Sequence, residues 1–198
     1  PENLLERFRW IFKDSYVDIV EIDKRHLGWE ETFEQSCIYK YNAIAQIEQS
    51  YGFNGIRQFV KMVGCPNEVG EAYAYKADTT TYRNVLDLML EDSEESIISF
   101  AKGFFRHYTF RNGIDNVIAL LHSLDIKKYE TVIVIPITVA PCACQSMWDY
   151  IKTLPNHIQK EYWTNLNVGI IYEENAGFIV KKMIEYKRFD RALDIIYH

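Results

Sequence analysis

Apolar residues recur along this chain at steps of three and four, most regularly over residues 173–198. Ala176, Ile179, Val180, Met183 and Ile184 fall at i, i+3, i+4, i+7 and i+8, and Phe189, Ala192, Leu193, Ile196 and Tyr197 repeat that spacing. Each set occupies one side of a helix of 3.6 residues per turn. Only Tyr186, Lys187 and Arg188 separate them. A joint that short folds the second helix back on the first as a helical hairpin.

The same period runs through most of the chain. Leu4, Leu5, Phe8, Ile11 and Phe12 predict a first helix, with Trp10 on its flank. Residues 14–28 lose the period and read as a connector. A helix over 29–51 turns Phe33, Cys37, Ile44, Ile47 and Tyr51 inward and stops at Gly52. Ile56, Phe59, Val60 and Val63 predict a short helix ended by Gly64, and Pro66 opens the next. That helix carries Gly70, Ala72, Ala74 and Ala77, small enough for a neighbour to approach closely. Asp78 and Thr79–Thr81 offer N-caps for a helix through Tyr82, Val85, Leu86 and Met89. Asp92 and Glu95 have capping-box spacing ahead of Ile97, Ile98, Ala101, Phe104, Phe105 and Tyr108. Asn112-Gly113 breaks that helix, and Val117, Leu120, Leu121 and Leu124 begin another.

Residues 131–140 are the exception. Their β-branched density favours a strand, yet no second β-rich run exists to pair with it. The segment is therefore expected to be a buried helix ending near Pro136. Beyond Pro141, Trp148 and Ile151 mark a short helix ended by Leu154-Pro155. Asn156 with Gln159 has the spacing to cap the next, which holds Ile158, Tyr162 and Trp163, and residues 165–171 read as a loop.

From about residue 53 onward, helix starts recur roughly every 12 to 18 residues, the rhythm of two-helix repeats. The alternation Ala-x-x-Ile-Val-x-x-Met-Ile, turn, Phe-x-x-Ala-Leu-x-x-Ile-Ile resembles the hairpins of tetratricopeptide-like and HEAT-like α-solenoids, best over residues 148–198. The Trp…Leu-Gly…Tyr signature of the tetratricopeptide consensus is not present at its proper spacing. Residues 154–163 with 186–193 are also similar to helical-repeat regions of large bacterial proteins, some of which are sensor or scaffold arms beside an NTPase or effector domain. The fold expected is all-α, with about ten to twelve helices stacked as antiparallel hairpins in a short α-solenoid or two-layer array. It is read as a single helical-repeat domain over 1–198, with N-terminal helices in 1–52 and hairpins in 53–198.

Composition sharpens this picture modestly. In 198 residues, Gly (9) and Pro (5) are sparse and 48% of positions are hydrophobic, so a substantial core fits better than a disordered chain. A net charge of −6 gives no basic footprint, and neither nucleic acid nor a membrane is an expected partner. The most apolar run, 131–141, falls well short of the roughly 20 residues that span a bilayer. Cys37, Cys65, Cys142 and Cys144 are too scattered for a disulfide framework, which points to a reducing cytoplasm. The amphipathic pattern continues to His198 without a stop signal, so the chain is expected to be an excerpt from a longer protein.

Candidate chemistry is thin. Cys142-Ala-Cys144 offers two thiolates to zinc, with His122 or His157 to complete a site, but a second ligand pair is missing. Cys65 with His107 or His122 would supply a nucleophile and base only if the fold joined them. The acidic pairs Glu30-Glu31, Glu94-Glu95 and Glu173-Glu174 sit at predicted helix N-termini, where the macrodipole favours them. No phosphate-cradling glycine motif occurs. What remains is a recognition surface: Trp148, Tyr162 and Trp163, with Tyr73 and Tyr75, and a basic face of Lys181, Lys182, Arg188 and Arg191. The function expected is non-catalytic protein–protein interaction or scaffolding within a larger cytosolic protein, without cofactor or metal. The partner would be another protein or a neighbouring domain of the same polypeptide. An enzyme fragment with a Cys/His site and a zinc-stabilised module are the alternatives.

Overall fold

A computed structural model describes residues 3–13, 29–140, 144–166 and 173–197, without the side chains of 29–34 and 173–174. The expected connector over 14–28, the Phe33 side chain, Cys142, His198 and most of the 165–171 loop lie outside the described residues. Among those described, the chain is all-α and contains no strand. The elements are α1 (Leu4–Phe8) running into a 3-10 turn (Arg9–Phe12), α2 (Trp29–Met62), α3 (Pro66–Ala74), α4 (Thr79–Glu91), α5 (Glu95–Asn112) and α6 (Ile114–His122). They continue with α7 (Ile126–Tyr129), α8 (Val134–Val139), α9 (Gln145–Lys152), α10 (Asn156–Asn165), α11 (Glu173–Glu185) and α12 (Phe189–Tyr197). Their contacts divide the chain into an N-terminal unit, 1–108, and a C-terminal unit, 109–198.

In the N-terminal unit, Gly52 adopts φ 63° and ψ −167°, splitting α2 into two helical stretches where the sequence places a stop. Phe12 meets Phe59 edge-on at 5.5 Å. The small residues of α3 do what their size allows. A Cβ on Gly70 would strike the backbone of α5 at Phe100 O and lie 2.7 Å from Phe104 N, and one on Gly103 would strike Asn67 O of α3. The two helices therefore touch backbone to backbone. Around that crossing, Phe104 gathers Tyr73, Phe100, Phe105, Tyr82 and Tyr108, with ring centroids 5.4 to 6.4 Å away.

Asp78 caps α4 as expected, its Oδ1 accepting from the Thr81 N–H at 2.8 Å. Asp92 behaves differently from the capping-box reading. Its Oδ2 accepts from Arg57 Nη2 (2.8 Å) and Nε (3.1 Å) and pairs with Lys61 Nζ at 2.8 Å. Its Oδ1 takes the Glu94 N–H at 3.2 Å. Oδ2 thus serves two cations of α2 while Oδ1 keeps a local backbone bond to Glu94 rather than the Glu95 N–H of a capping box, and the Lys61 and Arg57 bonds hold the Asp92 carboxyl down at about 2.

In the C-terminal unit, residues 131–140 hold a short helix after a turn and no strand, but Pro136 does not end that helix. α8 begins at Val134 and passes through Pro136, which stands in its first turn, where a missing N–H costs no intrahelical bond. α10 is preceded by Pro155 and has no side-chain cap. Asn156 is already helical, and Gln159 Nε2 instead donates to Leu154 O at 2.8 Å. The final hairpin forms as expected. Arg188 N–H reaches Met183 O (2.7 Å), Lys187 N–H reaches Ile184 O (3.0 Å), and Lys187 sits at φ 59°. That pattern is a Schellman turn with lysine in the position glycine usually takes.

Candidate functional site

Of the nine side chains singled out as a recognition surface, Tyr73 is buried and donates to Glu48 at 2.6 Å, Tyr75 stacks on His107, and the other seven lie in the C-terminal unit. Trp148, Tyr162 and Trp163 are buried in the C-terminal unit, each no more than 3% exposed. Trp148 lies against Phe178 (4.6 Å), and Trp163 against Phe178 (5.9 Å) and Tyr186 (6.3 Å), so these rings anchor α11 to α9 and α10. Burial also pushes the Tyr162 hydroxyl above the ordinary tyrosine range. Their aromatic surface is spent inside the unit rather than offered to a partner.

Two of the cations are structural as well. Arg188 Nη1 donates to Trp163 O (3.2 Å) and Leu166 O (2.5 Å), carbonyls at the C-terminal end of α10, where positive charge is favoured. Its burial lowers its pKa from the usual arginine value. Lys182 Nζ stands 5.8 Å from the Trp163 ring centre and bonds Glu185 at 2.8 Å. Lys181 and Arg191 remain exposed, Arg191 pairing with Asp194 at 3.2 Å.

The exposed surface that stands out is apolar. Among the described residues, eleven large hydrophobic side chains are exposed, and five of them, Ile184, Phe189, Leu193, Ile196 and Tyr197, belong to the last hairpin. The sequence pattern turned the whole α12 stripe toward α11, yet of it only Ala192 is buried. The reason is angular. At about 100° per residue, Ala192 and Ile195 share the face toward α11, whereas Phe189, Leu193 and Ile196 cluster about a quarter turn away. Phe189, Leu193, Ile196 and Tyr197 are 57%, 52%, 60% and 81% exposed.

The candidate Cys/His pairs are not brought together. Cys65 precedes α3, with its thiol 3.7 Å from Lys13 O, whereas His107 stacks on Tyr75 at the far end of that helix. The length of α3 puts them on the order of 15 Å apart. His122 packs edge-on to Tyr150 at 4.9 Å, and His157 pairs with Glu130 at 2.7 Å. Among the described residues no group of three His, Cys, Asp or Glu is placed to hold a metal ion.

A cleft that the sequence did not disclose opens between α2, α3 and α5. Ser36, Cys37, Lys40, Glu68, Glu71, Ala72, Tyr75 and His107 line a cleft of about 50 Å³. Ser36, Cys37 and Lys40 share one side of α2 by i, i+1, i+4 spacing, and Glu68, Glu71, Ala72 and Tyr75 share one face of α3 by i, i+3, i+4, i+7 spacing. Lys40 Nζ pairs with Glu68 Oε2 at 2.8 Å, both side chains being under one-fifth exposed. Glu71 Oε1 pairs with Arg106. Helical spacing groups the residues of each wall, but nothing in the sequence pairs the two walls.

No family model, curated protein or solved structure matches the chain. No described helix is long and apolar enough to cross a membrane.

Proposed function

We propose that the chain is a non-catalytic protein-recognition module of a larger cytosolic protein, and that the exposed face of α12 receives an amphipathic helix. The observation that supports this reading is the concentration of exposed Phe189, Leu193, Ile196 and Tyr197 on one stripe. Their i, i+4, i+7, i+8 spacing suits a helical partner presenting anchors at similar intervals. Each half-exposed side chain gains on the order of 1 kcal/mol when fully covered, so the stripe supplies several kcal/mol against the cost of association. Hairpins of tetratricopeptide-like and HEAT-like arrays bury such faces against a neighbour, and a neighbouring domain of the same polypeptide is an equally suitable donor of the helix.

A photo-reactive residue placed at Leu193 in the native host tests this directly. The expected result is a discrete cross-linked partner, absent when the probe replaces exposed Lys152 and lost with Ile196→Glu. Identical cross-linking from both positions would overturn the reading.

A further inference from the structure

The α2–α3–α5 cleft has a charge arrangement that its own residues do not complete. Lys40 is only 9% exposed, and its ammonium has three donors. Among the described residues it makes one hydrogen bond, to Glu68 Oε2. Ser36, one turn before it on the same wall, makes no side-chain hydrogen bond to a described residue. Opposite, Glu68 uses only Oε2, while both side-chain bonds of Glu71, from Arg106 and Asn67, fall on Oε1. The α2 wall thus keeps two ammonium donors and a hydroxyl in reserve, and the α3 wall keeps one oxygen on each of two carboxylates.

A desolvated ion pair rarely stabilises more than apolar packing would. In the wall of a cleft, the spare donors and acceptors are available to a ligand that carries their complements. The ligand must carry both charges. A simple anion would face Glu68 and Glu71, and a simple cation would face Lys40, so each is opposed by like charge. A carboxylate and an ammonium on adjacent atoms satisfy both walls at once. Ala72 and the Tyr75 ring, stacked on His107 at 6.4 Å, leave an apolar side for a side chain. At about 50 Å³ the cleft lies well below the range of drug-sized ligand sites, so only a small ligand fits.

We propose that this cleft binds a free α-amino acid, its carboxylate on Lys40 and Ser36 and its ammonium on Glu68 and Glu71. The site is independent of the α12 face, so either can fail without the other.

Isothermal titration calorimetry of the 198-residue chain with the twenty L-amino acids is the test, with the N-acetyl and carboxamide forms of any binder as controls. The expected result is at least one amino acid binding with a Kd of about 1 mM or tighter. Each blocked form should bind at least about tenfold more weakly, a difference of 1.4 kcal/mol. Lys40→Met should abolish binding at unchanged helical circular dichroism. Ser36→Ala, which leaves the Lys40–Glu68 pair intact, should weaken it several-fold and carries the test if Lys40→Met does not fold. The proposal is overturned if none of the twenty binds, if the blocked forms bind as tightly as the free acid, or if folded Ser36→Ala binds unchanged.

Discussion

Replacing Gly70 by alanine sets two well-understood effects against each other. In an open helix, glycine to alanine is stabilising by about 1 kcal/mol, because alanine loses less backbone entropy. Gly177, inside α11, is such a site, since an added Cβ meets nothing within 4 Å. At Gly70 the new methyl would strike Phe100 O and come within 2.7 Å of Phe104 N, and both obstacles are backbone atoms of a regular helix. They yield only if α3 and α5 move apart, which loosens the ring cluster around Phe104. Overpacking of this kind costs about 1 to 3 kcal/mol, and it outweighs the propensity gain. Gly103→Ala meets Asn67 O from the other side of the same crossing and should behave alike. Urea denaturation followed by circular dichroism compares the three. The expected order has Gly177→Ala above wild type and Gly70→Ala and Gly103→Ala below it. A Gly70→Ala protein as stabilised as Gly177→Ala would refute the backbone contact between α3 and α5.

Other expectations follow from individual side chains. Lys187→Gly should stabilise the final hairpin by about 1 kcal/mol, since lysine bears the steric cost of a left-handed conformation that glycine avoids; an unchanged thermal midpoint would contradict the Schellman turn. The Tyr150 hydroxyl is buried without a hydrogen-bond partner among the described residues, so Tyr150→Phe should be neutral or stabilising by up to about 1 kcal/mol. Burial raises that hydroxyl from 10.0 to about 12, so its contribution is complete below pH 10 and is lost as pH climbs toward 12. Alkaline unfolding of Tyr150→Phe should accordingly be shallower. Asp92 is depressed from 3.8 to about 2, so the stability it contributes is present above pH 3.8 and disappears as pH falls toward 2. Asp92→Asn should flatten that part of the acid limb, and an acid titration superimposable on wild type would count against the Arg57–Asp92–Lys61 network.

The elements were legible wherever a repeating pattern or a strong local signal decided them. The period of 3.6 located the helices, Gly52 and Asn112-Gly113 marked two breaks, and Asp78 and Pro66 marked two starts. In residues 131–140 the lack of a pairing partner excludes a strand and a helix does form over Val134–Val139, but it runs through Pro136, whose place in the first turn suits a helix start rather than the expected stop. The spacing of Asp92 and Glu95 shows only a local role, whereas Arg57 and Lys61, more than 30 residues away in α2, also bind Asp92. Side-chain direction was the least legible property. Trp148 and Trp163 look alike in sequence whether they face a partner or a core, and only the packing of Phe178 and Tyr186 on them decides. The α12 stripe shows the converse. Its period was visible, but which part of a broad apolar arc would meet α11 depended on the angle between the helices. The cleft was invisible for the same reason, since Lys40, Glu68 and His107 meet only through the fold.

The recognition reading is tested most directly by the affinity of the partner cross-linked at Leu193 for wild type and for Leu193→Asp. The substitution places a charge at the centre of the stripe, on a side chain already half exposed, so folding should be unaffected and the urea midpoint should stay within error. The account predicts binding weakened at least about tenfold, or about 1.4 kcal/mol. Equal affinity of a folded Leu193→Asp protein would contradict it.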